Sequence, residues 1–341
     1  MPGNSIGLNN ALNMQATDQK RKWNRSYVLK IEVSASPSNF DVLTNPWGNT
    51  PDNSVEKSGS VLSIKYPFTC DFTIVRSNCG NANTGHFVIN NLAADTRSNI
   101  YKDIWDRTNF KAIQFFAGYS DGPNSMLPCC FNGTIKQAYS QRNGADFHTT
   151  IEAFDGMISF PVNMLSGSIP AGTSQADAIK QLANDASPGS KLTLSQQFSG
   201  ATKRIASYMG SPLDVLNDAS GGTAYVDSGN IYALMNNDVI KGDVQVISEA
   251  NGLMGTPKKG EVYVEIDMLF EPRIKPSQLV NLESATDPRF NGTYKITGFT
   301  HRGTISGAVC GDARTSITMV LMPNNNIVYD QATNLYTLVN S

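Results

Sequence analysis

The tetrapeptide FNGT occurs twice in this chain. Phe131-Asn132-Gly133-Thr134 opens "FNGTIKQAYSQRNGADFHTTIEAF", and Phe290-Asn291-Gly292-Thr293 opens "FNGTYKITGFTHRGTISGAVCGDARTSITMVL". Each copy continues through a β-type segment, a short polar connection carrying Arg and Gly, and a second β-type segment. Asn-Gly supplies a positive-φ turn, so both copies read as a turn from which Thr134 and Thr293 open a strand. Four residues match easily by chance, and Asn-Gly turns are generic. The surrounding phrase favours duplication, because each copy closes a β-rich block and the two lie about 160 residues apart.

Working outward from the first copy, "YVLKIEV" (27–33), "VLSIKYPFTCDFTIVRS" (61–77), "GHFVINNL" (85–92) and "KAIQFFAGYS" (111–120) are β-type runs. "TIKQAYS" and "FHTTIEAF" form a predicted hairpin around Arg142-Asn143-Gly144. "AADTRSNIYKDIW" changes period and predicts a short helix with Ala94, Ile100, Tyr101, Ile104 and Trp105 on one face. Many short strands and one helix point to a compact barrel or sandwich. Outward from the second copy, "VQVISEA", "EVYVEIDML", "QLVNLES" and "TSITMVLM" repeat the β pattern.

The middle of the chain differs. In "PAGTSQADAIKQLANDA", Thr173 or Ser174 is a predicted N-cap, and Ile179, Leu182, Ala183 and Ala186 share a helix face. "KLTLSQQFSG" reads as a strand. "GSPLDVLNDAS" offers Ser211 as N-cap and Pro212 at the first helical position. "TAYVDSGNIYALM" reads as a hairpin turning at Asp227-Ser228-Gly229-Asn230.

With 341 residues the chain accommodates two domains and needs no covalent staples. Its low charged fraction (16%) and 28 glycines fit a turn-rich β protein. A net charge of −2 argues against a dedicated nucleic-acid binder. No apolar run reaches 18 residues, so no membrane-spanning helix is expected, and the polar N-terminal stretch does not resemble a signal peptide. Cys70, Cys79, Cys129, Cys130 and Cys310 are odd in number and lack CxxC spacing, which predicts reduced, structural thiols.

In order, these segments resemble a known family. "GTIKQAYSQRNGADFHTTIEAFDG" is similar to the end of the first barrel of phage tail hub proteins. "PAGTSQADAIKQLANDA" with "GSPLDVLNDASGGTAYVDSGNIYAL" is similar to their inserted helix–strand unit. "SEANGLMGTPKKGEVYVEIDMLFEPRIKPSQLVNLES" and "NGTYKITGFTHRG" are similar to their second barrel. The resemblance is to baseplate hub proteins of contractile-tailed phages, the late-control protein D family and the hub regions of type VI secretion spikes, and it covers roughly residues 25–325.

It implies a mainly β fold with an α+β insertion: two tail-tube-like β-barrels plus a small helix–strand domain. The implied division is an arm at 1–24, a first barrel at 25–157, a discontinuous second barrel at 158–171 and 239–325, an inserted unit at 172–238 and a tail at 326–341. It also implies a structural virion protein assembled in the bacterial host cytoplasm. That protein would be a homotrimer whose six barrels match a sixfold tube to a threefold central spike. Its partners would be the spike, tube or tube-initiator proteins, the tape-measure protein and other baseplate components, with DNA only in transit and no membrane insertion. Closed rings need complementary heterologous faces. The polar arm, with Lys20, Arg21 and Lys22, is expected to order on a neighbouring subunit or baseplate component.

Chemical constellations are weak, and no catalytic, cofactor or metal residues are assigned. His86, His148 and His301 have no partner at metal-ligand spacing. Glu152 and Asp155 read as a strand-end salt bridge or turn cap. Glu265 and Asp267 share a strand face, but a glycosidase pair must flank a cleft with separated roles, and the sequence gives no sign of one. "SGATKR" lacks phosphate-loop spacing, and the sequons at Asn24, Asn132 and Asn291 read as turn residues. Arg273 and Lys275, held between Pro272 and Pro276, fit an interface contact and a rigid exposed turn equally. Two other readings stay open. A receptor- or carbohydrate-binding tail adaptor would need aromatic clusters, which the scattered Trp23, Trp47 and Trp105 do not supply. A hub with peptidoglycan hydrolase activity would usually carry an extra domain, for which this chain has no spare length.

Overall fold

The computed structural model describes residues 24–33, 55–58, 60–80, 82–106, 110–120, 126–155, 164–201, 204–244, 246–309, 311–322, 326–330 and 335–339. The first β block contains β1 (Arg25–Glu32), β2 (Val55–Ser58), β3 (Val61–Lys65), β4 (Cys70–Ser77), β5 (Thr84–Asn90), β6 (Ala112–Tyr119), β7 (Cys129–Asn143) and β8 (Asp146–Asp155). Strict alternation in β4 and β5 turns Phe72, Ile74, Phe87 and Ile89 inward and leaves Thr73, Val75, His86 and Val88 on the other face. The inward residues close on one core in which Phe115 lies 5.2 Å from Phe72 and 4.9 Å from Phe87, ring centre to ring centre.

The second block contains β15 (Val246–Ser248), β16 (Leu253–Lys259), β17 (Tyr263–Leu269), β18 (Leu279–Glu283), β19 (Gly292–Ile305) and β20 (Ala313–Leu321). Its own core gathers Ile266, Val280, Ile296, Phe299, Ile317 and Met319. The two blocks repeat one strand order: β4-β5-β8-β7-β6-β1 in the first is matched by β16-β17-β20-β19-β18-β15 in the second. The last pair differs in sense, β1 with β6 being antiparallel and β15 with β18 parallel. A single ladder joins the blocks, with residues 298–305 of β19 antiparallel to 70–77 of β4, so that 14 strands form one sheet. Phe270, Ile305 and Ala313 of the second block enter the first core at this seam.

Between the blocks lies the α+β unit: β9 (Leu165–Ile169), α2 (Gln175–Ala186), β10 (Leu192–Leu194), β11 (Ala206–Gly210), α3 (Pro212–Ser220), β12 (Ala224–Asp227) and β13 (Asn230–Ala233). Both caps form as the sequence predicts. Ser174 Oγ accepts from Asp177 N, Ser211 Oγ accepts from Asp214 N, and Pro212 takes the first helical position. Ile179, Leu182, Ala183 and Ala186 are buried in the unit's core. The β12–β13 turn holds Ser228 at φ +53° and Gly229 at φ +78°, the paired positive values of a type I′ turn.

Several expectations change. Neither FNGT copy is a turn: Phe131–Thr134 lies inside β7, and Asn291 is extended (φ −64°, ψ 134°) at the entry to β19. Each instead begins the long strand of its block, and each strand carries a bulge soon after, at Lys136 and at Thr297. The first hairpin turns one residue later than predicted, at Gly144-Ala145, with Gly144 at φ +64°. The short helix α1 (Ala94–Ile100) stops early, because Lys102 N donates to Ala138 O and Ala138 N to Lys102 O, which draws the chain into an extended bridge. Tyr101, Ile104 and Trp105 are therefore exposed. Residues 165–169, placed above with the second barrel, pair with β11 and bury Leu165 and Ile169 in the inserted unit. In the tail, β21 (Asn326–Asp330) and β22 (Leu335–Val339) form a hairpin that adds to β14 (Asp238–Ile240). The arm (1–23), Trp47, Lys203 of "SGATKR" and Cys310 lie outside the described residues.

Candidate functional site: a continuous polar sheet face and the joint behind it

The β19–β4 ladder keeps the two blocks in phase, so their outward faces form one surface. Registers place Asp267, Ser316, Thr300, Val75 and Thr84 in one row across β17, β20, β19, β4 and β5. The next row carries Leu269, Arg314, Arg302, Thr73, His86 and Glu152. Acids (Asp71, Glu152, Glu265, Asp267) and bases (Lys136, Lys258, Arg302, Arg314) are interspersed on this face, so neither sign dominates. A groove of about 450 Å³ runs along it, lined by Thr256, Lys258, Glu265, Asp267, Thr300 and Arg302. Asp267 accepts from Ser316 Oγ, and Glu265 sits opposite Lys258.

Behind this face, a buried polar joint fastens the inserted unit to the first block. Arg76, inward on β4, donates from Nε to Asp227 Oδ1 (2.8 Å), from Nη2 to Asp227 Oδ2 (2.6 Å) and from Nη1 to Cys130 O (3.0 Å). Asp155, at the end of β8, accepts from Ser228 N (2.8 Å), Gly229 N (3.1 Å) and Asn83 Nδ2 (3.1 Å). Asn83 Nδ2 also donates to Val226 O (2.9 Å). The β12–β13 turn thus inserts its two positive-φ amides into a carboxylate socket. Burial, then Asp227, push the Asp155 carboxyl up to about 6, against the opposing pull of Arg76 and the donated hydrogen bonds.

The sequence-singled residues scatter. Glu152 and Asp155 lie on opposite faces of β8, Glu152 on the polar surface and Asp155 in the socket. His86 and His148 lie on the outward face of β5 and β8. His301 is fully buried between Phe270 and Phe299, 5.3 and 4.7 Å away, with Nδ1 2.9 Å from Thr315 Oγ1. Burial, then Arg76, lower its value to about 3, so its ring is neutral. Arg273 Nε donates to Glu271 (2.8 Å) in a short salt-bridged turn. Cys70, Cys79, Cys129 and Cys130 are free thiols. Burial raises Cys70 and Cys130 well above the ordinary thiol value and Cys129 to about 12, an environment for packing and not for nucleophiles. Among the described residues no cluster of His, Cys, Asp and Glu is arranged to hold a metal ion. No helix of the described residues is long and apolar enough to cross a membrane.

A protein-family model described as baseplate hub gp41 matches residues 62–302, which runs from β3 through most of β19 and takes in the unit between the blocks. The chain belongs to the baseplate hub gp41 family. It is a structural protein of the bacteriophage tail baseplate and a component of the virion. A search of curated protein sequences finds no match. Solved structures share the hub fold at low identity. The 43 kDa tail protein of prophage MuSo2 from Shewanella oneidensis is 10% identical with a TM-score of 0.54, covering 78% of this chain and 96% of that one. A tail protein from Neisseria meningitidis MC58 is 10% identical with a TM-score of 0.50, covering 87% and 97%. The E. coli c3393 protein is 8% identical with a TM-score of 0.50, covering 75% and 74%. It is described as a type VI secretion component similar in structure to the T4 tail proteins gp27 and gp5. For the hub, the Arg76–Asp227–Asp155 joint was hidden in the sequence, because its members lie up to 151 residues apart. Its visible elements were the "DSGN" turn and Asp155, read from the sequence as a strand-end salt bridge or turn cap and found accepting from the Ser228 and Gly229 amides of that turn.

Proposed function

We propose that three copies of this hub close a ring of six barrels that adapts a sixfold tail tube to a threefold central spike. The observation carrying this reading is the repeated strand order, joined edge to edge by β19 and β4. A chain that carries one barrel-like unit twice offers two similar surfaces per copy, which is what three chains need to meet six tube subunits. In this reading the barrels are residues 25–157 and 239–325, and the unit between them includes the strand at 165–169.

The polar face common to both blocks lines the channel through which DNA and the tape-measure protein pass. Its interspersed charges support passage, because a strongly basic wall would hold phosphates through counterion release. Assembly takes place in the host cytoplasm, and the hub is a scaffold without catalysis of its own. Native mass spectrometry with and without the spike partner tests the reading. A species at three times 36.9 kDa, alone or with the spike, is expected. A monomer in both samples overturns it.

A further inference from the structure

The connection after α1 leaves Tyr101, Ile104 and Trp105 exposed by 56%, 42% and 81%. Single exposed apolar side chains are ordinary, but three this close form a patch. The loop that carries them is fastened down. Lys111, buried, donates from Nζ to Asn99 O and Tyr101 O, both at 2.7 Å. Lys102, also buried, donates from Nζ to Asp106 O at 2.6 Å. Its backbone is bridged to Ala138 of β7, and Asp103 Oδ1 accepts from Trp105 N at 2.9 Å. Burying an ammonium group is costly unless its donors are used, and here two of them hold the carbonyls of one loop. The apolar side chains are therefore presented by a shaped knob. Tyr and Trp are among the residues that most often anchor protein interfaces.

Charge selects the partner. Within Tyr101–Asp106 the ammonium of Lys102 faces a carbonyl, and the exposed charged side chain is Asp103. An exposed indole face attracts cations. The matching partner is basic. The chain has one run of three consecutive basic residues, Lys20-Arg21-Lys22, followed by Trp23 just ahead of β1.

Strand registers place this contact between copies. Arg25, at the start of β1, pairs with Tyr119 at the end of β6. Lys102 is bridged to Ala138, which lies past the Thr134 that pairs with Ala112 at the start of β6. The entry to β1 and the knob are thus roughly eleven residue steps apart, about 35 Å along the strands. Fully extended, the chain from Lys20 to Arg25 spans only about 17 Å, so a copy's own basic run does not reach its own knob. The two patches are different and lie at opposite ends of the block, which makes the contact heterologous. Each copy gives its run to one neighbour and receives the run of another, and such contacts close in a ring. We propose that Lys20–Trp23 of one copy docks on the Tyr101–Asp106 knob of a second copy, with its cations over Trp105 and against Asp103. The identity of that second copy as a ring neighbour rests on the trimer reading above.

Photocrosslinking of the full-length chain tests this, with the spike partner present if the native trimer requires it. Trp105→p-benzoylphenylalanine is made in trimers assembled from equal parts of isotopically heavy and light copies. Crosslinks joining heavy to light chains through peptides that cover residues 15–25 are expected. Amide exchange is the second measurement. Trp105→Ser and Asp103→Lys, both at exposed positions, should each speed exchange of residues 18–23 about tenfold, with core amides unchanged. The exchange variants decide the matter if the crosslinking variant does not assemble. In a native trimer, crosslinks that are absent, stay within one chain, map elsewhere on a second copy or go to the spike overturn the arm contact and leave the trimer standing. Unchanged exchange of residues 18–23 in the folded variants does the same. A native chain that is monomeric with and without the spike overturns both.

Discussion

Asp227→Asn is the most direct probe of how the inserted unit is held. The change keeps size and removes one charge from a pair whose side chains are 4% and 5% exposed. Of the two carboxylate acceptors at 2.8 and 2.6 Å, Arg76 would keep one neutral amide oxygen and find an NH2 donor in place of the other, and it would remain buried with Asp155 as its remaining carboxylate neighbour among the described residues. Breaking a buried pair from one side costs about 3–5 kcal/mol, because the orphaned charge stays desolvated. Exposed pairs contribute about 0–1 kcal/mol. Asp312→Asn, which breaks the Arg314–Asp312 pair at 36% and 63% side-chain exposure, is therefore the control.

The three-core architecture makes a single global unfolding energy ill-defined, so the assay should be local. Hydrogen exchange at Ser228 N and Gly229 N, which donate to Asp155, reports opening of the joint. About 3 kcal/mol corresponds to exchange at least roughly a hundredfold faster in Asp227→Asn. Amides of the β4–β5 ladder serve as the internal reference. Acceleration below about tenfold, in a variant whose core amides exchange as in the native protein, would refute the view that this pair locks the unit in place.

Two further outcomes follow from the same geometry. The Asp155 carboxyl sits above its ordinary value, so its contribution favours the joint below about pH 4 and is lost as pH rises through about 6. Exchange at Ser228 and Gly229, corrected for intrinsic chemistry, should therefore quicken between pH 4 and 7, and Asp155→Asn should flatten that profile. Phe270→Ala removes a fully buried ring in contact with Phe72, Tyr119 and His301 at the seam. It should cost about 3–5 kcal/mol and speed exchange along the β19–β4 ladder, which an unchanged ladder would contradict.

What the sequence revealed was what is written in short-range chemistry. Ser174 and Ser211 cap their helices because Ser followed by Asp three residues on is a local instruction. The β12–β13 hairpin forms because Ser228 and Gly229 accept positive φ. What it concealed was decided by distant partners. "LSGSI" is short and interrupted by Gly167, so it carries little strand signal of its own, and it pairs because Ala206–Gly210 lies beside it. "NIVYD" and "LYTLV" are rich in β-formers, yet they pair because β14 offers an edge. Tyr101, Ile104 and Trp105 fit a helical stripe, but the Lys102–Ala138 bridge won over helical period.

The doubled FNGT shows how a correct inference can rest on a wrong local reading. Asn-Gly promised a turn, and neither copy makes one. In the first copy Gly133 is there for space, since a Cβ on it would meet the Phe154 carbonyl at 2.0 Å where β7 crosses close to β8. In the second, Asn291 Oδ1 accepts from Ser284 N and ties the chain to the end of β18 as β19 begins. The two glycines and asparagines thus serve different contacts. What the copies share is position: each lies at the start of the long strand of its block. β19 uses that length to hold β18 and then β4. β7 uses its first half to hold β6, and among the described residues its strand beyond Ala138 pairs only with β8. The repetition is therefore a matter of strand length and placement more than of turn chemistry, and that is why it survives in the fold where the turn does not.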